Sequence, residues 1–325
     1  MTTATLTAPE APQSLVTSRR TSGDKLFDRL SMGSAGFVLV ILVAIAGFLI
    51  WKSWPALRVA GWDFFTERTW NPDAQPAVFG VAALVWGTLL SSILSLVIAV
   101  PLAVGCALLL VEVAPPVIAR PVGYVIELLA AVPSVVYGLW GVYVLVPHLV
   151  PFQRWLGDNL SWIPFFHNPS NLFGRSMFVA IVILTIMVLP IVVSLARDVL
   201  RQVPSADREA AMALGATKWE VIRLAVLPYA RGGITGSVML GLGRALGETI
   251  AVAMVLSATY VITVNVLGPG GNTIAANIAT KFGEAGPLGQ QALVASGLVL
   301  FVITLIVNML ARFFVGRGVK ASGRA

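Results

Sequence analysis

The sequence is poor in the residues that build most soluble catalytic and metal sites. Its 325 residues include one cysteine and two histidines, and only 11% of them are charged. A lone cysteine excludes a disulfide within the chain, and the two isolated histidines do not resemble a zinc site. The sequence also lacks a Gly-x-x-x-x-Gly-Lys-Ser/Thr phosphate loop and a Ser–His–Asp arrangement. We therefore expect no metal site, no resident cofactor and no enzymatic activity in this chain.

Apolar residues are abundant instead. They make up 57% of the chain, and the mean hydropathy is +0.87. A helix needs about 20 apolar residues to cross roughly 30 Å of hydrocarbon. Stretches of that length recur, which predicts an all-α integral membrane protein with about six transmembrane helices. The predicted spans lie near residues 34–54, 80–111, 123–147, 176–199, 232–262 and 290–314.

Positive charge is distributed unevenly along the chain. The net charge is +7, and most Lys and Arg residues fall before the first span, after the last one, and between 197 and 231. Such clusters mark the cytoplasmic ends of membrane helices. With six spans, both termini are predicted to be cytoplasmic. No basic and aromatic face suited to nucleic acid is present, so membrane lipid is the expected surrounding and nucleic acid is not an expected partner.

The two ends of the chain differ in composition from its interior. Residues 1–30 are rich in Thr, Ala, Ser and Pro, which predicts a disordered cytoplasmic tail. Residues 31–315 are predicted to form the membrane domain, and residues 316–325 a short cytoplasmic tail.

A charge-rich segment at 205–228 interrupts the apolar interior; we call it the elbow. Ser205 can cap a first short helix, and Gly215 supplies a left-handed stop after it. Thr217 and Glu220 have the spacing of a capping box that starts a second helix, which Pro228 is expected to end or kink. So small a helical pair buries little apolar surface alone, so we expect it to lie against another part of the structure and to leave a ridge free for a partner.

Ionisable residues inside the predicted spans are costly and therefore informative. Arg244 and Glu248 are four residues apart, so on a continuous helix they share one face and can form an ion pair. Chemistry alone leaves a structural salt bridge and an anion pathway equally open. Glu127 lies in an earlier span, and we expect it to snorkel or to make a hydrogen bond between helices.

Two motifs carry a family resemblance. Glu209-Ala210-Ala211, followed by Gly215 and Leu227-Pro228, resembles the EAA loop of ABC-importer permeases. Together with ELLAAVPSVVYGLWG at 127–141 and GLGRALGETIAVAM at 241–254, it makes the chain similar to the PstC-type permease of the bacterial phosphate-specific ABC importer. The resemblance covers roughly residues 30–315.

The resemblance implies a fold, a role for the site residues and a set of partners. The fold would be MetI-like, with Glu209, Ala210, Ala211 and Gly215 in a cytoplasmic coupling helix that docks on an ATPase. Arg244 and Glu248 would act in phosphate passage. The partners would be a second permease of the PstA type, an ATPase dimer that binds ATP and Mg²⁺, and an extracytoplasmic phosphate-binding protein. The location would be the bacterial cytoplasmic membrane.

Two other functions remain open at this point. One is an ABC permease for another cargo, such as phosphonate, sulfate, molybdate or an organic solute. The other is an ion-coupled secondary transporter, a class that commonly shows two similar halves. We find no convincing internal repeat, and a secondary transporter gives the elbow no purpose.

Overall fold

The computed structural model describes residues 22–167 and 174–322, and these residues are predominantly helical. The chain divides into two units, Met1–Phe48 and Leu49–Ala325, and every site below lies in the second. The α-helices in chain order are α1 Ser22–Ala60, α2 Asp63–Thr66, α3 Ala82–Leu108, α4 Pro116–Ala130, α5 Ser134–Trp140, α6 Val146–Asn159, α7 Met177–Arg201, α8 Ser205–Ala213, α9 Lys218–Val221, α10 Leu227–Gly247, α11 Ile250–Val255, α12 Ile274–Lys281 and α13 Pro287–Ser322.

Shorter elements complete the second unit. Strands β1 (Trp70–Asn71) and β2 (Val78–Phe79) pair antiparallel, with Trp70 opposite Phe79. A 3₁₀ turn covers Pro164–Phe166. Three π segments lie at Leu109–Val113, Gly141–Leu145 and Ile222–Val226.

Five stretches of the described chain are long and apolar enough to cross a membrane, as a multi-pass protein requires. Four of them lie close to predicted spans. The third is displaced from its predicted place at 123–147, because residues 131–133 separate α4 from α5. The five are Leu26–Ala60, Ala82–Val113, Ser134–Asn159, Met177–Arg201 and Pro287–Phe313.

The predicted span at 232–262 is wrong as a continuous helix. Helix α10 ends at Gly247, α11 is only six residues long, and residues 256–273 form no helix. Part of this segment is buried, and it bonds to the rest of the fold: the Phe178 N–H donates to the Val266 carbonyl (2.9 Å). The Trp86 indole N–H donates to the Thr263 carbonyl (2.7 Å). Non-helical backbone can be buried here because the protein itself satisfies its polar groups.

Helices α3, α7 and α10 pack closely around a core of small and branched apolar residues. Gly241 on α10 explains the closeness. A Cβ at this position would lie 2.8 and 2.9 Å from side-chain carbons of Val188 and Val192 on α7. Only glycine lets the two helices approach this far, so α10 is held firmly along α7.

Each π segment ends two residues before a proline. The N–H of Ala114, Val146 and Leu227 donates five residues back, to Leu109, Gly141 and Ile222, and each donor precedes a proline in the sequence. A proline within an α-helix removes one hydrogen bond and crowds the carbonyl four residues earlier. The wider π turn relieves that crowding, so α9 continues through the Ile222–Val226 segment into α10. Pro228 therefore lies in the first turn of α10 and does not end the helix.

Both ends of the described chain are more helical than expected. Helix α1 begins at Ser22, so residues 22–30 are helical rather than part of a disordered tail, and residues 1–21 lie outside the described residues. Helix α13 continues to Ser322, and residues 323–325 lie outside the description. The cytoplasmic placement of both termini stays a prediction.

Candidate functional site

Arg244 lies in the wall of a large groove between α10 and α13. It belongs to the last turn of α10, and the groove has a volume of about 1110 Å³. The Nε of Arg244 is buried and has no hydrogen-bond partner among the described residues. The other lining residues are Gly232, Thr235, Gly236, Met239, Leu240, Gly243, Leu305, Asn308, Met309 and Arg312.

The groove is electropositive. Arg244 and Arg312 are its two charged lining residues, and none of the residues that line it carries a carboxylate. Asn308 and Thr235 add polar atoms. Sequence reasoning missed Arg312 and Asn308, because nothing in the sequence shows which face of α13 meets α10. Two guanidinium groups without acidic neighbours suit an anionic ligand.

Arg244 and Glu248 do not form the ion pair that their spacing predicts. Helix α10 ends at Gly247, and Glu248 has extended backbone angles (φ −65°, ψ 125°). The i,i+4 argument holds only within one continuous helix. No ion pair between the two side chains occurs in the described structure.

Glu248 bonds to the next helix instead. It is buried, with 7% of its surface exposed, and its Oε1 accepts from the Ala251 N–H (3.3 Å) in the first turn of α11. This bond satisfies one of the free N–H groups at the helix start. The structure thus brings Arg244 and Glu248 to the two sides of a helix break without joining them.

A different glutamate–arginine pair is formed. Arg197 on α7 donates through Nη2 to Oε1 of Glu127 on α4. The expectation of a bond between helices for Glu127 is therefore confirmed. Its partner lies 70 residues away in the sequence, so the spacing rules for a single helix do not reveal it.

The local geometry of the elbow agrees with most of the expectations. Gly215 has φ +84° and is left-handed, as predicted. The capping box is present: the Thr217 N–H donates to Glu220 Oε2 (2.7 Å), and the Glu220 N–H donates to Thr217 Oγ1 (3.4 Å). Ser205, however, is the first residue of α8 and makes no cap bond, because Pro204 holds the cap position.

Arg208 anchors the elbow to the membrane domain. Its Nη2 donates to Glu112 Oε1 (2.8 Å) and to the Leu200 carbonyl (3.0 Å), and its Nη1 donates to the Val203 carbonyl. No local spacing rule predicts this pairing, since Glu112 lies 96 residues away. Arg208 thus ties α8 to the π segment after α3 and to the end of α7.

The outer face of the elbow exposes apolar side chains. Glu209, Ala210 and Gly215 are exposed, whereas Ala211 is half-buried against the membrane core, so the three residues of the predicted ridge do not share one surface. Leu214 is 91% exposed. Met212 and Trp219 are exposed as well. We call the three apolar residues Met212, Leu214 and Trp219 the elbow patch and treat them as a candidate contact surface.

Comparison with known proteins assigns the chain to a family. The family model described as "Binding-protein-dependent transport system inner membrane component" matches residues 81–318. "Phosphate transport system permease protein PstC 2" of Mycobacterium tuberculosis is 46% identical over 299 residues, which cover 90% of this chain and 92% of that protein. "Phosphate transport system permease protein PstC" of Mesorhizobium japonicum is 41% identical over 300 residues, or 90% of each chain.

A solved structure supports the fold. A chain of a bacterial alginate ABC transporter, in complex with an alginate-bound periplasmic protein, aligns with a TM-score of 0.56 at 18% identity, covering 92% of this chain and 96% of that one. The predicted MetI-like permease fold is confirmed at this level. The chain belongs to the family of binding-protein-dependent transport system inner membrane components.

Proposed function

We propose that this chain is the transmembrane permease subunit of an ABC importer that moves inorganic phosphate into the cytoplasm. The observation that carries the proposal is Arg244 in the wall of the groove, with a buried Nε that has no hydrogen-bond partner in the part of the chain that the structure describes. The names of the curated relatives, which are phosphate transport permeases, support phosphate as the cargo.

Arginine suits this cargo for chemical reasons. Its planar guanidinium stays charged and donates two parallel hydrogen bonds to neighbouring phosphate oxygens. Arg312 lies in the same groove and offers a second contact along the path. Transport also requires that the anion leave again. In this proposal the buried negative charge of Glu248, just beyond the end of α10, limits how tightly phosphate is held.

The energy comes from partner subunits in this proposal. An ATPase dimer, which binds ATP and Mg²⁺, docks on the elbow through Glu209, Ala210 and the elbow patch. Ala211 and Gly215 set the angle of α8 against that dimer. A second permease of the PstA type completes the membrane part, and an extracytoplasmic binding protein delivers phosphate.

The test of the pathway is uptake by Arg244 variants in the reconstituted complex. Arg244→Ala should reduce phosphate uptake by about tenfold to a hundredfold, because charge-assisted hydrogen bonds contribute roughly 1.5–3 kcal/mol. Arg244→Lys should fail substantially too, since a point charge does not replace the guanidinium fork. Arg154→Ala, which removes an exposed arginine elsewhere, is the control. Normal uptake by both Arg244 variants would exclude the pathway role.

Competition experiments decide the cargo. Phosphonate, sulfate, molybdate or an organic solute that displaces phosphate from uptake at equal concentration would favour the alternative ABC cargo. Uptake that continues without ATP, and stops when proton and sodium gradients are dissipated, would favour an ion-coupled secondary transporter.

The test of the elbow is Gly215→Val. A side chain at φ +84° strains the turn by about 1 kcal/mol or more and tilts α8 away from its partner. We expect the variant to insert normally and to uncouple ATP hydrolysis from phosphate uptake. Gly283→Val is the matched control, because Gly283 has ordinary backbone angles and open space around its Cα. Wild-type ATPase activity and uptake in Gly215→Val would make the elbow an ordinary loop.

A further inference from the structure

We propose that a second basic site, distinct from the groove, binds the phosphate group of an anionic phospholipid. We call it the basic pocket. It has a volume of about 450 Å³ and lies between α4 and the end of α7. Its lining residues are Arg120, Tyr124, Glu127, Arg197 and Arg201.

Positive charge exceeds negative charge in the basic pocket. Its single carboxylate, Glu127, is engaged by Arg197. Asp198 adds a second carboxylate at 3.8 Å from Arg197 Nε, beyond hydrogen-bond distance. Arg120 and Arg201 have no ion pair or side-chain hydrogen bond within the described residues. The guanidinium groups of Arg120 and Arg201 are therefore available to bind an anion in this cavity.

Arg197 gives the basic pocket a fixed wall. It is buried, with 5% of its surface exposed, and its Nε has no hydrogen-bond partner in the described structure. The α4 backbone makes room for it: a Cβ on Gly123 would lie 1.9 Å from Arg197 Nη1. The guanidinium is thus held in place by packing and by Glu127, and does not depend on a surface rotamer.

The basic pocket lies at the depth of lipid headgroups. Helix α7 has 25 residues, or roughly 37 Å of length, and Arg201 is its last residue. The hydrocarbon core is about 30 Å thick, so the final turns of α7 reach the membrane–water interface. Basic pockets between helices at this depth are typical binding sites for anionic headgroups.

The surroundings favour a lipid over free phosphate. Tyr124 is 67% exposed, and Val125 and Leu128 on the same helix are exposed as well. These side chains offer an apolar surface beside the arginines, which suits an acyl chain attached to the bound phosphate group. Free phosphate would gain nothing from that surface.

The experiment measures lipid binding to the complete transporter by native mass spectrometry. Short-chain phosphatidylglycerol is titrated against a phosphatidylcholine background. The test variant is the double substitution Arg120→Gln with Arg201→Gln. The control is Arg68→Gln with Arg154→Gln, which removes two exposed arginines far from the pocket in the sequence. We expect the test variant to bind phosphatidylglycerol about 25-fold more weakly, or roughly fivefold for each arginine, and the control to bind like wild type.

Further arms separate a lipid from other occupants and from misfolding. Arg120→Lys with Arg201→Lys keeps the charge and should retain most of the binding. Equal binding by the test and control variants would overturn the proposal. Displacement of the lipid by millimolar inorganic phosphate would assign the pocket to free phosphate and also overturn it. Failure of the assembled wild-type complex to bind phosphatidylglycerol preferentially would also overturn the proposal, since the pocket would then not be a lipid site in the complete transporter. None of these outcomes depends on phosphate uptake, so they are independent of the proposed function.

Discussion

Two arginines in the membrane domain have opposite surroundings. Arg197 meets a glutamate from another helix, although 70 residues separate the two in the sequence. Arg244 does not meet Glu248, although only four residues separate them. Arg197 is locked against α4, whereas Arg244 borders an open groove. The difference indicates that Arg197 holds helices together and that Arg244 is available to a ligand.

The largest expected effect tests this difference through stability. Arg197→Ala leaves Glu127 without its partner and empties the space beside Gly123. Removing one member of a buried pair costs roughly 3–5 kcal/mol, and we expect the lower end because the Glu127 side chain is 47% exposed. Arg244→Ala should cost less than about 1 kcal/mol, because no ion pair is lost. Thermal unfolding of the detergent-solubilised protein measures both.

Double substitutions provide the control for this prediction. Arg197→Ala combined with Glu127→Ala should be clearly less destabilising than the sum of the single changes. Arg244→Ala combined with Glu248→Ala should be additive within about 0.5 kcal/mol. A larger coupling in the second pair would show that the two groups interact in solution, contrary to the comparison.

An intermediate effect is expected from a matched pair of helical glycines. Gly123→Ala places a methyl group where Arg197 Nη1 lies and should destabilise the protein by about 1–3 kcal/mol. The Cβ that Gly243→Ala adds would have no atom within 4 Å, so this substitution should stabilise α10 by up to about 1 kcal/mol. Unfolding temperatures that shift in opposite directions would support the comparison. Equal shifts in unfolding temperature for Gly123→Ala and Gly243→Ala would mean that the surroundings of the two arginines are alike.

The smallest expected effect concerns a third glutamate. Glu220, like Glu248, accepts from a backbone N–H, but it is exposed and outside the membrane. The N–H of Thr217, and then its hydroxyl, lower the pKa of Glu220 from its ordinary value of 4.5. A carboxyl with a lowered folded pKa stabilises the fold above its ordinary pKa, and this contribution is lost as the pH falls through the folded value.

Thr217→Ala removes the hydroxyl of the capping box and keeps the backbone N–H, so it tests the second of the two causes. Loss of a threonine N-cap costs about 1 kcal/mol near neutral pH. The difference in unfolding temperature between wild type and the variant should narrow below pH 4.5, where the carboxyl becomes protonated. If the difference in unfolding temperature between wild type and Thr217→Ala does not change with pH, the charged capping box is not the cause of that difference.

Local signals in the sequence were sufficient for the features that depend on local geometry. Runs of about 20 apolar residues predicted four of the five candidate membrane helices, and the third of the five is displaced from its predicted place. Gly215 and the Thr217–Glu220 pair predicted the turn and the cap in the elbow, because a left-handed residue and a capping box each involve only a few neighbouring residues. The family also followed from short motifs.

Features that depend on distant contacts were not predicted. The residues around Glu248 are compatible with a helix, but the break lies at Glu248, whose side chain accepts from the Ala251 N–H at the start of α11. The Glu112–Arg208 contact and the role of Arg312 depend on which helices are neighbours. Pro228 was expected to disrupt the helix, but the π segment before it absorbs the proline.

Through that π segment, the second helix of the elbow and the wall of the groove belong to one continuous helix. Residues 218–247 form one uninterrupted rod of 30 residues, roughly 45 Å long, with the capping box at one end and Arg244 near the other. Pro228 favours the π turn, and the close approach at Gly241 prevents α10 from turning about its own axis against α7. A displacement of the elbow would therefore reach Arg244 as a shift of the whole helix along α7, with no break in the helical backbone between them.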